Sequence, residues 1–170
     1  MTTKSGQIRV GIGGWTFAPW RGVFYPKGLS QSKELAYASE RLTSIEVNGT
    51  FYSSQKPETF RKWASEVPEG FVFSIKGSRF VTNRRVLAEA GDSIKRFFDS
   101  GVTELGDHLG PLLWQFAPFK KFDPVDFGSR AFNSRFALSR LGIVLLQADA
   151  VVLIGKVLAV LLQLDQALGD

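Results

Sequence analysis

Apolar and polar positions alternate along the first three quarters of the chain in two distinct ways. Short apolar runs, which are typical of buried strands, occupy residues 7–14, 43–48, 71–76 and 109–116. Between them, apolar residues recur at helical spacing and predict helices over residues 31–41, 57–67, 90–99 and 101–108. Strands that alternate with helices in this order predict an α/β fold of parallel βαβ units with right-handed crossovers.

The number of predicted strands favours one α/β architecture. Strand centres are expected near Val10, Glu46, Phe73 and Leu113. A complete eightfold (β/α) barrel takes about 250 residues. Residues 1–128 are therefore predicted to form a TIM-barrel-like (β/α) fold, but only its first half. Such a half barrel leaves the edges of its first and fourth strands unpaired, so we expect self-association through these edges.

The composition changes abruptly after Gly128. Residues 129–170 contain no Pro, Trp, Tyr or Glu, and most of them are aliphatic. Three polar breaks lie seven residues apart, which would place them in one narrow stripe along a helix: they are Asp149, Lys156 and Gln163. The sequence therefore predicts a second region, an apolar helical tail from about Leu138 to Leu168, packed on the exposed core. The charges of Asp149 and Lys156 within it disfavour a membrane span.

Composition and charge restrict the classes of function. The chain has no cysteine, which excludes disulfides, thiolate nucleophiles and cysteine metal sites. Its net charge of +5 comes from Arg and Lys residues spread along the sequence, as on a solvated surface, so a nucleic-acid partner is only an alternative. The first ten residues lack the apolar core of a secretory signal, and a cytoplasmic location is expected.

The octapeptide IEVNGTFY at residues 45–52 carries the main candidate chemistry. Glu46 and Asn48 are two residues apart on a predicted strand, so their side chains should share a face. Burying a carboxylate and an amide together is costly unless both are paired or used. The pair lies near the C-terminal end of the strand, where parallel α/β folds build their sites. We interpret Glu46 as a catalytic base or ligand-binding acceptor oriented by Asn48; the alternative is a structural hydrogen-bond network.

Two cations are expected close to this pair. Lys76 ends the third strand, and Arg79 follows three residues later in the next loop. Together they could bind a phosphate or carboxylate group. Lys76, the second catalytic candidate, could instead neutralise Glu46 or form a Schiff base with a carbonyl substrate.

Further polar and aromatic residues are predicted at the same end of the strands. Gln115 ends the fourth strand, and alternation places it inward if Trp114 points outward. Trp15 and Tyr52 lie in loops that follow strands. An aromatic rim above a polar floor suits a sugar, a base or another ring-bearing ligand, whereas the alternative is that these aromatics form minor cores.

The sequence indicates no metal site and no particular cofactor. His108 is the only histidine, and it precedes the fourth strand at the opposite end from the proposed site, where a surface role is expected. The glycines at residues 11–14 do not form the GxGxxG dinucleotide fingerprint, and no serine lies in a nucleophile motif.

Four separated motifs carry a family resemblance: VGIGGWTFAPWRGVFYPKGL, IEVNGTFY, FVFSIKGSRFVTN and LGPLLWQFAP. Over residues 8–127 the chain resembles the YecE-like family, domain of unknown function 72. The resemblance implies a TIM-barrel-like fold, but it implies no reaction because that family is itself uncharacterised.

The chain departs from the family pattern at two places. Thr82–Asn83 stands where the family usually has a Thr–His pair, and the Glu-Arg-His, Arg-x-His-Gly and Asn-Asn motifs of the family's second half do not occur after Phe127. Together with the composition break after Gly128, these departures lead to the hypothesis of a truncated, inactive chain whose residues from about 129 are translated out of frame.

These interpretations combine into one functional expectation. Glu46 and Lys76 are the catalytic candidates, and the expected ligand-binding residues are Asn48, Gln115, Trp15, Tyr52 and Arg79. The pocket should take a small polar or phosphorylated ligand, with hydrolase or lyase chemistry as one option. The competing hypothesis is a non-enzymatic binding module for nucleic acid, and the sequence does not decide whether the protein is an enzyme.

Overall fold

The computed structural model describes residues 8–121, 123–127 and 143–146, the last four and residue 127 by their backbone alone. The strands are β1 (Gly11–Gly13), β2 (Ser44–Val47), β3 (Val72–Lys76), β4 (Leu109–Gln115) and β5 (Ile143–Leu146). The helices are α1 (Glu34–Ser39), α2 (Gly49–Tyr52), α3 (Pro57–Ser65), α4 (Arg79–Thr82), α5 (Gly91–Asp99) and α6 (Pro124–Phe127). Short 3₁₀ segments cover Ala18–Trp20, Gln31–Lys33, Leu87–Ala90 and Val102–His108.

The strands form one sheet in which each strand pairs in parallel with its neighbours in sequence order, β1-β2-β3-β4-β5. Glu46 lies opposite Gly13 on one side and Ser74 on the other. This order is that of consecutive βαβ units, so the predicted parallel arrangement is confirmed.

One prediction about a particular element is wrong, and another holds only in part. Residues 143–146 form a strand that pairs with β4, so this part of the expected helical tail is extended and the edge of the fourth strand is covered. A short aliphatic run is compatible with either structure, and pairing to an open edge favours the strand. The rest of the expected tail lies outside the described residues. The helix expected over residues 101–108 is a 3₁₀ segment, interrupted at Gly106 by non-helical backbone angles.

The two faces of the sheet differ in chemistry. One face carries buried apolar side chains that pack against the helices, and they include Ile45, Phe73, Ile75, Leu112 and Trp114. Glu46, Ser74 and Lys76 occupy the alternate positions and therefore point to the opposite face. The core thus lies between the sheet and its helices, and the polar candidates are on the face that it does not fill.

Polar groups at the N-terminal ends of the strands bond to the backbone. The His108 ring is partly buried, and its Nδ1 lies 2.9 Å from the carbonyl oxygen of Phe71. The location expected for His108 is confirmed, but its role is a contact between β3 and β4 rather than a surface role alone.

Among the residues described, no helix is long and apolar enough to cross a membrane.

Candidate functional site

The candidate site begins where β2 ends. Glu46 is on β2, but Asn48 has left the strand and has the backbone angles of a helix at the start of α2. Gly13 on the neighbouring strand leaves room for the Asn48 side chain, because a Cβ atom there would lie 3.3 Å from Asn48 Nδ2. The strand predicted over residues 43–48 is therefore one residue too long at each end.

Lys76 contacts Asn48 directly. Its Nζ atom donates a hydrogen bond to Asn48 Oδ1 at 3.2 Å and lies 5.2 Å from the centre of the Phe51 ring. The register of β2 and β3 places Val47 opposite Ile75, which brings the next residue of each strand together. The predicted convergence of Asn48 and Lys76 is a direct contact in the structure.

The environment of Glu46 favours its neutral form. Burial raises the pKa of the Glu46 carboxyl above its ordinary value, and the charge of Lys76 opposes part of this shift. Among the residues described, Lys76 and Glu46 form no ion pair, since the ammonium group is bonded to the amide of Asn48 instead. The carboxyl group is thus only partly hydrated and available to a ligand.

Thr50 holds the loop of this site and was missed by the sequence analysis. Its buried hydroxyl lies 2.9 Å from the carbonyl oxygen of Val47 and 2.7 Å from that of Lys76. The contact connects the first turn of α2 to the end of β3. A threonine three residues beyond a strand end is a common source of such backbone bonds, and this was the available signal.

Trp15 lines a cleft beside the polar pair. Its ring contacts Trp63 at 5.3 Å and Phe73 at 6.3 Å between ring centres, so part of it belongs to the core on the helix side. The open cleft has a volume of about 250 Å³. Its lining consists of Gly14, Trp15, Thr16, Val47, Asn48, Gly49, Gln55 and Trp63. Asn48 therefore borders both the cleft and Lys76, and Trp15 both lines the cleft and packs against the core.

Tyr52 and Arg79 form a second, more exposed contact. The Arg79 guanidinium carbon lies 5.7 Å from the centre of the Tyr52 ring and 5.6 Å from that of Phe80. The Tyr52 ring is also 5.0 Å from Phe51, which in turn contacts Lys76. Both predicted residues are therefore linked to the polar pair through Phe51.

Gln115 lies further along its strand than the other polar candidates. Trp114 is buried against Phe97 on the helix side, at 5.3 Å between ring centres, so Gln115 faces the other way as predicted. However, Lys76 lies opposite Leu113, which leaves Gln115 two residues further along the strand direction. Among the described residues, no hydrogen bond joins Gln115 to the other candidate side chains. The described residues also contain no group of three or more potential metal ligands.

Comparison with known proteins identifies the family to which this chain is similar. A family model described as "Protein of unknown function DUF72" matches residues 9–138. The UPF0759 protein YunF of Bacillus subtilis (strain 168) is 30% identical over 118 residues, which cover 66% of this chain and 41% of that protein.

Solved structures show the same fold. A DUF72 family protein from Enterococcus faecalis V583 matches with a TM-score of 0.61 at 22% identity, covering 81% of this chain and 49% of that one. One from Thermotoga maritima MSB8 matches with a TM-score of 0.59 at 22% identity, covering 81% and 54%. The chain thus spans about half the length of these relatives. Its fold is an α/β, TIM-barrel-like fold with a parallel sheet, and the chain belongs to the DUF72 family of proteins of unknown function.

Proposed function

We propose that the C-terminal ends of β2 and β3 form part of a pocket for a small polar or phosphorylated ligand. One observation carries this proposal: Lys76 is held by Asn48 at 3.2 Å beside a half-buried Glu46 with which it makes no ion pair. A lysine that served only to neutralise Glu46 would be expected to contact the carboxylate directly. The arrangement leaves one donor group and one carboxyl group for a ligand.

The chemistry of these groups indicates the ligand class. An ammonium group fixed by an amide is suited to a phosphate or carboxylate, because a charge-assisted hydrogen bond is about twice as strong as a neutral one. The raised pKa of Glu46 reduces the negative charge that such an anion would meet. A protonated Glu46 can donate to the ligand, and an ionised one can accept from its hydroxyl groups.

A catalytic role for this pocket rests on the same two residues. A carboxyl group with a raised pKa is suited to proton transfer, which typically contributes about 100-fold or more to a rate. We therefore assign Glu46 the role of acid or base and Lys76 that of anion stabiliser in any turnover. If the 170-residue chain converts a bound compound, Glu46→Gln should lower the rate by about 100-fold while binding is retained.

Ligand binding is tested by thermal unfolding in the presence of phosphorylated and carboxylated metabolites. A compound that raises the melting temperature of the unmodified protein should lose this effect in Lys76→Met and show a weaker one in Asn48→Ala. Lys62→Met is the matched control, because Lys62 is exposed on α3 and lies 3.8 Å from Glu66. Equal shifts in the Lys76 and Lys62 variants would contradict the proposal.

Nucleic-acid binding remains the competing function. Fewer than half of the described Lys and Arg residues pair with a carboxylate: the basic partners of the seven contacts are Arg21, Arg41, Arg61, Lys62, Lys95 and Lys120, with Arg61 pairing twice. The basic residues are spread along the sequence from Arg9 to Lys121, which favours a solvated surface over a concentrated nucleic-acid face. Oligonucleotide binding that weakens with salt and survives Lys76→Met would favour the competing function.

Self-association is proposed at β1 rather than at β4, since β4 is paired with β5. β1 is the first strand in the order of the described sheet, and Ile8 and Val10 beside it are 70% and 39% exposed. An edge flanked by exposed apolar residues favours pairing with a second copy. Light scattering should show association that Val10→Lys reduces; a concentration-independent mass near 18.8 kDa would contradict it.

A further inference from the structure

Two cations and three aromatic rings form a row where β2 and β3 lead into α2 and α4. Lys76 lies 5.2 Å from the Phe51 ring, and Phe51 and Tyr52 are 5.0 Å apart between ring centres. The Arg79 guanidinium carbon lies 5.7 Å from the centre of the Tyr52 ring and 5.6 Å from the centre of the Phe80 ring. We call these five residues the cation–ring row. It leads from the proposed anion site outward to the protein surface.

The outer half of the cation–ring row is exposed to solvent. The Tyr52 and Phe80 rings are 60% and 58% exposed, although they flank the same guanidinium group. Two exposed rings around one arginine offer flat surfaces on which a further ring can stack.

Arg79 differs from the other arginine that stacks on a tyrosine. The guanidinium carbon of Arg41 lies 3.4 Å from the centre of the Tyr37 ring, but its Nη1 donates to Glu40 Oε2 at 3.1 Å and to the Tyr37 carbonyl oxygen at 2.8 Å. The Arg79 side chain makes no hydrogen bond or ion pair with any described residue. Its donors remain available, whereas those of Arg41 are used locally.

Hydrogen bonds hold both of the helical turns that carry the row. Thr50 joins the turn of Phe51 and Tyr52 to the end of β3, as described above. Ser78 Oγ accepts a hydrogen bond from the backbone N–H of Phe80 at 3.2 Å, which fixes the turn that carries Arg79. A surface held in this way requires little ordering when a ligand binds.

We propose that the pocket takes a phosphate ester that carries a planar ring, of the nucleoside monophosphate class, with its ring on Tyr52 and Arg79. This inference rests on the proposed function, because it assigns the phosphate group to Lys76 and Asn48. Stacking on a tyrosine ring and a guanidinium plane recognises the ring, and the ammonium group recognises the phosphate.

The inference is tested by calorimetric titration of the 170-residue protein with three probes. Adenosine 5′-monophosphate has both groups, ribose 5-phosphate lacks the ring, and adenosine lacks the phosphate. We expect the monophosphate to bind about tenfold more tightly than ribose 5-phosphate, in the range measured for one base stacked on an aromatic side chain. Lys76→Met should weaken the binding of both phosphorylated probes.

Two variants separate the ring from the phosphate. Tyr52→Leu removes the ring, and Arg79→Lys keeps the charge but removes the guanidinium plane. Both variants should weaken the binding of the monophosphate by up to about tenfold and leave the binding of ribose 5-phosphate unchanged. Tyr52→Phe should restore tight binding, and Arg41→Met should have no effect. The three altered side chains are exposed or partly exposed, and circular dichroism checks that each variant is folded.

Three results would overturn the inference. Equal affinity for the monophosphate and ribose 5-phosphate, with both still weakened by Lys76→Met, would reject the ring site and retain the proposed function. Monophosphate binding unchanged by Tyr52→Leu and Arg79→Lys would place the ring elsewhere. No binding of either phosphorylated probe to the folded protein would reject the inference, and failure of the wider metabolite screen as well would reject the proposed function.

Discussion

Two glutamates that are withdrawn from water illustrate two uses of a carboxylate in this protein. Glu34 begins α1 with its side chain fully buried, and its Oε1 accepts a hydrogen bond from Arg21 Nε at 2.7 Å. Glu46 is half-buried on β2 and, among the described residues, has no ion pair, while Lys76 beside it bonds to Asn48. The first carboxylate is used by the fold, and the second is left available.

The difference has an energetic meaning. An ion pair offsets the cost of removing a carboxylate from water, and breaking such a pair leaves an uncompensated buried charge. A carboxylate that keeps its desolvation cost without a direct pair makes the fold less stable at neutral pH. Such a cost is expected at a site that binds or reacts, which is why Glu46 rather than Glu34 belongs to the candidate pocket.

The largest expected effect comes from breaking the Glu34 pair. Arg21→Met should lower the melting temperature by several degrees, because Glu34 would stay buried without its partner and its Oε2 already lacks a hydrogen-bond partner among the described residues. Thermal unfolding followed by circular dichroism measures the change. Arg41→Met is the control, since the Arg41–Glu40 pair is exposed and should contribute little. Similar losses in both variants would show that burial does not distinguish these pairs.

A second variant acts on the Glu46 side of the comparison without changing its charge. Thr50→Val removes the hydroxyl that contacts the carbonyl oxygens of Val47 and Lys76. The loss should be about 1–3 kcal/mol of unfolding free energy, because buried carbonyl groups lose a partner. Urea unfolding measures it. The same variant should also weaken the binding of any ligand whose affinity depends on Lys76. Retention of full affinity would mean that Thr50 does not position the site.

The sequence predicted the strands of the sheet more successfully than the contacts between polar side chains. Runs such as FVFSIK contain the information for a strand within themselves, so β3 was placed within one residue of its observed start. The contact between Arg21 and Glu34 depends on the path of the intervening loop, which no local pattern specifies. Asn48 was expected to continue β2, but the turn into α2 occurs there and still brings its amide to Lys76. The segment 143–146 was ambiguous because an aliphatic run fits a helix or a strand until its neighbour is known.

Removing the charge from each glutamate should change stability in opposite directions. Because burial raises the pKa of Glu46 in the folded protein, its contribution to stability is present at low pH and is lost as the pH rises through that pKa. Glu46→Gln should therefore raise the melting temperature by a few degrees at pH 8 and change it little at pH 4. Glu34→Gln should lower it at pH 8, because the pair with Arg21 is lost. Thermal unfolding at both pH values decides, and a loss of stability in Glu46→Gln at pH 8 would mean that its carboxylate is structural.

The smallest effect concerns Tyr25, which lies beside the Glu34 pair. Burial, followed by the charge of Glu34, raises the pKa of Tyr25 to about 12, while Arg21 lowers it. Its hydroxyl donates a hydrogen bond to the carbonyl oxygen of Trp15 at 2.5 Å, which an ionised tyrosine cannot do. The neutral phenol therefore stabilises the fold below the unfolded value of 10.0, and this contribution is lost as the pH rises towards 12.

Ultraviolet titration of the phenol groups tests this assignment. One of the chain's three tyrosines should ionise late, near pH 12 or together with alkaline unfolding. Tyr25→Phe should remove this late step and make the melting temperature less sensitive to pH between 10 and 12, at a small cost from the lost hydrogen bond. If Tyr25 of the folded protein ionises near pH 10, its phenol is neither buried nor coupled to Glu34, and the structural role given to that carboxylate is weakened with it.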